Sequence, residues 1–179
     1  MTALLSLSRL IDALNNAVGK LVSWLVLVAV VISAGNAVVR YAFNSSSNAW
    51  LELQWYLFSA VFLLCAGYTW LRNEHIRIDI IVGRFTKRTQ CWVDIFGTLF
   101  FLLPMAILIL YLSYPVVLDS YKIHEMSSNA GGLMRWPVKI LLPVGFILLI
   151  LQAVSEFIKR VAYLAGAIDE PGEKMHSHH

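Results

Sequence analysis

Hydrophobic residues make up 59% of the 179 positions and charged ones only 14%, a balance that excludes an ordinary soluble domain. The formal net charge of +3 is small, and the basic residues follow the borders of the apolar runs, which argues against a nucleic-acid-binding face. Four runs, each near the ~20 residues that a helix needs to cross a bilayer, leave too little chain for a separate catalytic domain.

The chain opens on Leu4, Leu7, Ile11, Leu14 and Val18, spaced by three and four, with Arg9, Asp12, Asn15 and Asn16 elsewhere on the wheel. This pattern predicts an amphipathic helix that either lies in the cytoplasmic interface or runs straight into the first span. Spans are expected at about 18–39, 50–71, 92–113 and 137–158. The short polar turn between Asn44 and Asn48 makes the first two antiparallel neighbours. Tyr41, Trp50 and Trp55 suit an outer aromatic belt; Trp70 and Trp92 suit an inner one.

Basic residues set the orientation. Arg9, Lys20, Arg72, Arg77, Arg84, Lys87, Arg88, Lys159, Arg160 and Lys174 fall on one side, and only Arg40, Lys122, Arg135 and Lys139 on the other. The positive-inside rule then places both termini and the central loop in the cytoplasm. Within that loop Ile78, Ile81, Val82 and Phe85 share a face beside a stripe of Arg77, Arg84 and Arg88, which predicts a second interfacial helix with its apolar face in membrane lipids or against a partner, the alternative being a solvated basic loop. Pro104 and Pro143 predict kinks in spans three and four. Tyr111, Tyr114 and Tyr121 suggest that span three continues past the membrane surface. Ser127 to Asn129 with Gly131 and Gly132 then supply a turn before Trp136-Pro137. Positions 1–168 form one four-helix membrane domain in this reading, and 169–179 a disordered polar tail whose histidines are assigned no function.

The chemistry expected of this bundle is sparse. No histidine falls within a span, Cys65 and Cys91 are unpaired, and no nucleophile and base meet at mid-depth, so no catalytic, cofactor or metal site is expected. His75 and Asp79 are better explained as part of a charged helix cap than as catalytic groups. Mid-span polarity is expected from Ser33, Asn36, Ser59 and Thr98, acting as helix–helix hydrogen bonds. Glu52, Asp94 and Glu156 lie near span ends, where they are expected to reach water. Arg40 and Glu52 sit at similar outer depth across the first hairpin, and an ion pair between them, or with a partner helix, is expected.

Read in order, Arg40-Tyr41, Trp50, Glu52, Tyr56-Leu57, Gly67 and Arg72-Asn73-Glu74-His75-Ile76-Arg77-Ile78-Asp79 resemble the small membrane subunit of tripartite ATP-independent periplasmic (TRAP) transporters, the DctQ family. Asn129-Ala130-Gly131-Gly132-Leu133, Arg135-Trp136-Pro137 and Pro143-Val144-Gly145-Phe146 look like the branch associated with mannitol, chloroaromatic or 2-oxo acid uptake. Leu53 stands where many relatives carry a second acid. The resemblance implies a large DctM-type membrane subunit holding the substrate and sodium sites, and a DctP-type periplasmic binding protein. It also implies a bacterial inner membrane location and, for this chain, a scaffolding role without enzyme activity. Arg40, Tyr41, Trp50, Glu52, Gly67, Arg72, His75, Arg77, Asp79, Gly131, Gly132, Arg135 and Trp136 are the candidate partner-interface or family-motif residues. The competing expectations are a small autonomous transporter or channel, and a membrane enzyme or electron carrier.

Overall fold

A computed structural model describes residues 2–45, 47–72 and 85–168. The proposed second interfacial helix, except Phe85 and Arg88, lies outside these residues, as do His75, Arg77, Asp79 and the polar tail. The described residues are helical, with a single isolated bridge between Met126 and Met134 and no strand.

The first helix, α1 (Thr2–Phe43), is one unbroken rod of 42 residues, or about 63 Å. The N-terminal lead-in therefore runs straight into the first apolar run. After the turn at Asn44, which takes a positive φ of 49°, come α2 (Asn48–Leu64) and α3 (Ala66–Leu71). Cys65 separates them, yet its N–H still donates to Val61 O at 3.1 Å and its carbonyl accepts from Thr69 N at 2.8 Å. The predicted second span is thus a helix with one loosened turn.

The next rod comprises α4 (Lys87–Gly97), a π-helical turn (Thr98–Leu102) and α5 (Leu103–Lys122). Thr86 caps its start by accepting from Thr89 N. The wide turn stands just before Pro104, which has no N–H to give to the preceding turn, so the expected distortion takes the form of a π-bulge. The rod reaches Lys122, well beyond the predicted end of span three.

After a loop of irregular backbone come α6 (Trp136–Lys139) and α7 (Leu141–Leu164). The disturbance expected at Pro143 takes the form of a break in the helix path. Pro143 lies in the first turn of α7, where a missing donor is harmless, and the helix path breaks at Ile140 just before it. Three stretches, Thr2–Phe43, Lys87–Lys122 and Trp136–Leu164, are long and apolar enough to cross a membrane.

Helix α7 is the hub, contacting α1, α2, α3, α4, α5 and α6, whereas α1 packs on α2, α3 and α7. Glycines permit the closest crossings. A Cβ at Gly145 of α7 would come within 2.6 Å of Leu63 O, and one at Gly67 of α3 would collide with the Asn15 side chain of α1 and approach Leu148 O at 3.2 Å. Gly19 of α1 likewise lies against the Tyr68 ring. With lipid tails as apolar as leucine, such close backbone packing is what holds membrane helices together. Trp70 is buried in this packing, so it is not the lipid-facing inner belt residue expected; Tyr41, Trp50, Trp55 and Trp92 are exposed.

Candidate functional site

Two polar assemblies stand out in the helical frame, one at each end. The one at the loop end, outer in the expected topology, is organised by Glu52, in the second turn of α2. Its side chain is almost wholly covered, at 2% exposure. Oε1 accepts from Ser127 Oγ and from Asn129 Nδ2 at 2.9 Å; Oε2 accepts from the Leu133 backbone N–H at 2.6 Å. A carboxylate is suited to this place because it offers only acceptors, and the loop presents only donors. Gly132 is required beside it: a Cβ there would come within 2.5 Å of Ser127 Cβ and 2.8 Å of Glu52 Oε1. Gly131 turns the chain with φ of +69°, and Gly132 N donates to Asn129 O at 3.0 Å.

Further bonds hold the same loop down. Tyr56 Oη donates to Met134 O at 2.8 Å and Asn48 Nδ2 to Ala130 O at 2.9 Å. Glu125 pairs with Lys139, and Arg135 Nη1 lies 3.9 Å from its other oxygen. The hydrogen bond from Lys139, with the Lys139 and Arg135 charges, holds the Glu125 carboxyl below its ordinary value. The Trp136 ring meets Tyr121 edge-on at 5.4 Å.

Among the motif residues, the structure thus brings Glu52, Gly131, Gly132, Arg135 and Trp136 into one outer cap. Arg40 and Tyr41 are not part of it. Both are exposed, and the expected Arg40–Glu52 ion pair is not formed, because the loop donors occupy both Glu52 oxygens. Trp50, two residues before Glu52, is exposed. Gly67 is a packing residue between α1 and α7. Arg72 lies over the Tyr68 ring at 5.3 Å and donates to Asn16 Oδ1 at 3.2 Å.

The second assembly is at the other end of α7, and the sequence reading missed it. Asp12 of α1 accepts from Gln152 Nε2 at 2.9 Å, Ser155 Oγ at 2.6 Å and Lys159 Nζ at 3.0 Å. Glu156 pairs with Lys159 and with Arg160, each at 2.5 Å. Arg160 also reaches Asp94 of α4 at 3.1 Å. Ser8 and Ser155 hydroxyls lie 2.7 Å apart. Gln152 and Ser155 are fully buried, and Glu156 and Arg160 nearly so. The expectation that Glu156 reaches water is therefore corrected, as it is for Glu52: both are buried, and both are satisfied by neighbours.

The inward face of the α1 lead-in is mixed, with Ile11 buried beside polar side chains. Ser8, Asp12 and Asn15 turn toward α7, while Leu7, Leu10 and Leu14 face outward. The available signal was spacing: Ser8, Asp12 and Asn15 at one helical face, and Gln152, Ser155, Glu156 and Lys159 at another, within apolar surroundings. Of the four mid-span polar groups expected to join helices, Ser59 bonds back to Trp55 O on its own helix and Ser33 is exposed. Cys91 is buried and Cys65 half-buried.

Two open grooves complete the surface. One of about 330 Å³ runs between α5 and α7 past Ile109, Leu112, Val116 and Lys139; the other, about 420 Å³, lies by Ile32, Gly35, Asn36 and Trp50 near the α1–α2 turn. Their walls are chiefly apolar, and Lys139 is already paired with Glu125.

Described residues that are helical, with three stretches able to span a bilayer and many polar groups bonded across helices, make a membrane-embedded bundle. Residues 28–162, about three-quarters of the chain, match the family of tripartite ATP-independent periplasmic transporters, DctQ component, and the chain belongs to that family. Neither a curated protein nor a solved structure matches it. The family is a transporter component rather than an enzyme family, and its members work with DctM and DctP components.

Proposed function

We propose that this chain is an accessory scaffold of a sodium-coupled TRAP transporter for organic acids, 2-oxo acids among them. It stands beside the large DctM-type subunit in the inner membrane, and a DctP-type binding protein delivers the substrate. In this reading the chain crosses the bilayer four times, α2 and α3 together forming the second crossing, with both termini in the cytoplasm. The observation that carries it is the use of the polar groups. The carboxylates of Asp12, Glu52, Asp94, Glu125 and Glu156 and the cations of Lys139, Lys159 and Arg160 are bonded to other parts of the same bundle. A substrate anion needs convergent donors left open to it, and the two grooves offer mainly apolar walls.

Purification from native membranes followed by reconstitution tests this. Uptake of an organic acid is expected only from vesicles that hold the large subunit and the binding protein with this chain, and only with a sodium gradient. Uptake by this chain alone overturns the scaffold role in favour of an autonomous transporter.

A further inference from the structure

Resting on the scaffold reading, we propose that the outward face of α1 is a docking seam for one apolar helix of the large membrane subunit, and that this helix carries a carboxylate opposite Lys20. The seam is a seven-residue repeat. Leu7, Leu14, Leu21 and Val28 recur at intervals of seven, and all four are exposed, Leu21 to 73%. Leu10, Ala17, Trp24 and Val31 follow each of them by three, again all exposed, Leu10 and Trp24 to 68% each. Alternating steps of three and four along an uncovered helix are the pattern that lets a second helix pack knobs into holes. Because 3.6 residues per turn drift slowly against a period of seven, the stripe winds gently and the partner follows it in a left-handed sense.

Lipid alone does not account for this face. The exposed apolar side chains of α1 extend from Leu4 to Val39, a rise of about 52 Å. Hydrocarbon covers only ~30 Å, and a 40° tilt still leaves the helix spanning about 40 Å. In addition, the opposite face of the lead-in is fixed: Ser8, Asp12 and Asn15 are bonded to α7, so the leucines have no freedom to rotate inward.

A second copy of this chain fits less well. Lys20 flanks the seam, is exposed, and makes no ion pair among the described residues. A parallel copy would set Ile11, Val18 or Leu25 beside it; an antiparallel one would offer Ala13, Lys20 or Leu27. Neither supplies the acid that Lys20 lacks, whereas a different chain is free to.

The test uses the whole transporter in native membranes, with a photo-crosslinking amino acid at Leu14, Ala17 or Leu21 in the seam, or at Arg9 or Ser23 on another exposed face. Adducts with the large subunit are expected from the three seam positions, at least ten-fold weaker from Arg9 and Ser23. Lys20→Glu is expected to lower the Leu21 adduct several-fold, and Lys20→Arg to keep it. Adducts at the mass of two copies overturn the choice of partner. Lipid adducts alone from the seam, while the large subunit still co-purifies, overturn the seam but leave the scaffold reading standing. If the unsubstituted chain fails to co-purify with the large subunit, both fall.

Discussion

Arg160 and Asp94 tie the ends of α7 and α4 together: the guanidinium Nε and Nη2 both lie 3.1 Å from one carboxylate oxygen. The same guanidinium holds Glu156 with Nη1 at 2.5 Å. One cation thus serves two acids on two helices, next to Lys159 and Asp12 on a third contact.

Removing that cation takes one counter-charge from each of Glu156 and Asp94, with Lys159 still beside Glu156. Arg160→Met is expected to lower stability by about 3–5 kcal/mol, the usual result of breaking one side of a buried pair. A double change with Glu156→Gln is expected to recover part of it. Thermal unfolding of detergent-solubilised protein, compared across the three variants, measures the difference; equal losses in single and double variants would show that the pair is not the source.

Glu52→Gln replaces an acceptor-only group by one that also presents an N–H₂. One of the three loop donors then faces another donor, and the charge-assisted bonds weaken. The expected cost is about 1–3 kcal/mol, confined to the outer loop. Thiol labelling of a Ser128→Cys reporter is expected to quicken in the Glu52→Gln background, with labelling elsewhere unchanged.

Glycine substitutions are expected to separate by position. Gly132→Ala drives a Cβ into Ser127 and Glu52, and Gly145→Ala drives one into Leu63 O, whereas Gly97 has nothing within 4 Å. Gly97→Ala is therefore expected to be neutral or to add a few tenths of a kcal/mol through helix propensity. Gly132→Ala and Gly145→Ala should each lower the yield of folded protein, read as the monodisperse fraction in size-exclusion chromatography.

Acid should loosen the outer loop through Glu125. Its native carboxyl is held below the ordinary value by Lys139 and Arg135, so its contribution is complete above the unfolded value and is lost as pH falls through the lower native one. Loop protection measured by hydrogen exchange is expected to fall across that acidic window, and Glu125→Gln should lessen the dependence, leaving what the other loop-bound carboxylate contributes.

Much of the frame was legible in residue order. Hydropathy marked the apolar runs, Gly131 and Gly132 marked the outer turn, and the tyrosines after Leu110 marked the long reach of α5. The side toward which α1 turns its polar stripe was not. Periodicity gives the angle between apolar and polar faces but no sign, and a helix surrounded by hydrocarbon or protein is free to place serine and aspartate inward. Asp12 therefore read as a solvated residue until Ser155 and Lys159 were found beside it. Glu52 posed a similar problem. Sequence proximity suggested Arg40 across the hairpin, while its donors come from a loop more than seventy residues away. Such distant partners leave no local spacing to detect.

The bonds between Ser8 and Ser155, and between Asp12 and Lys159, each join positions 147 apart. All the intervening helices are made before either partner of the first helix emerges. Until then an aspartate waits at the membrane edge without its lysine, so assembly is a late, concerted event. A product that stops short of α7 leaves the polar stripe of the first helix, Ser8 and Asp12, without the partners that satisfy it.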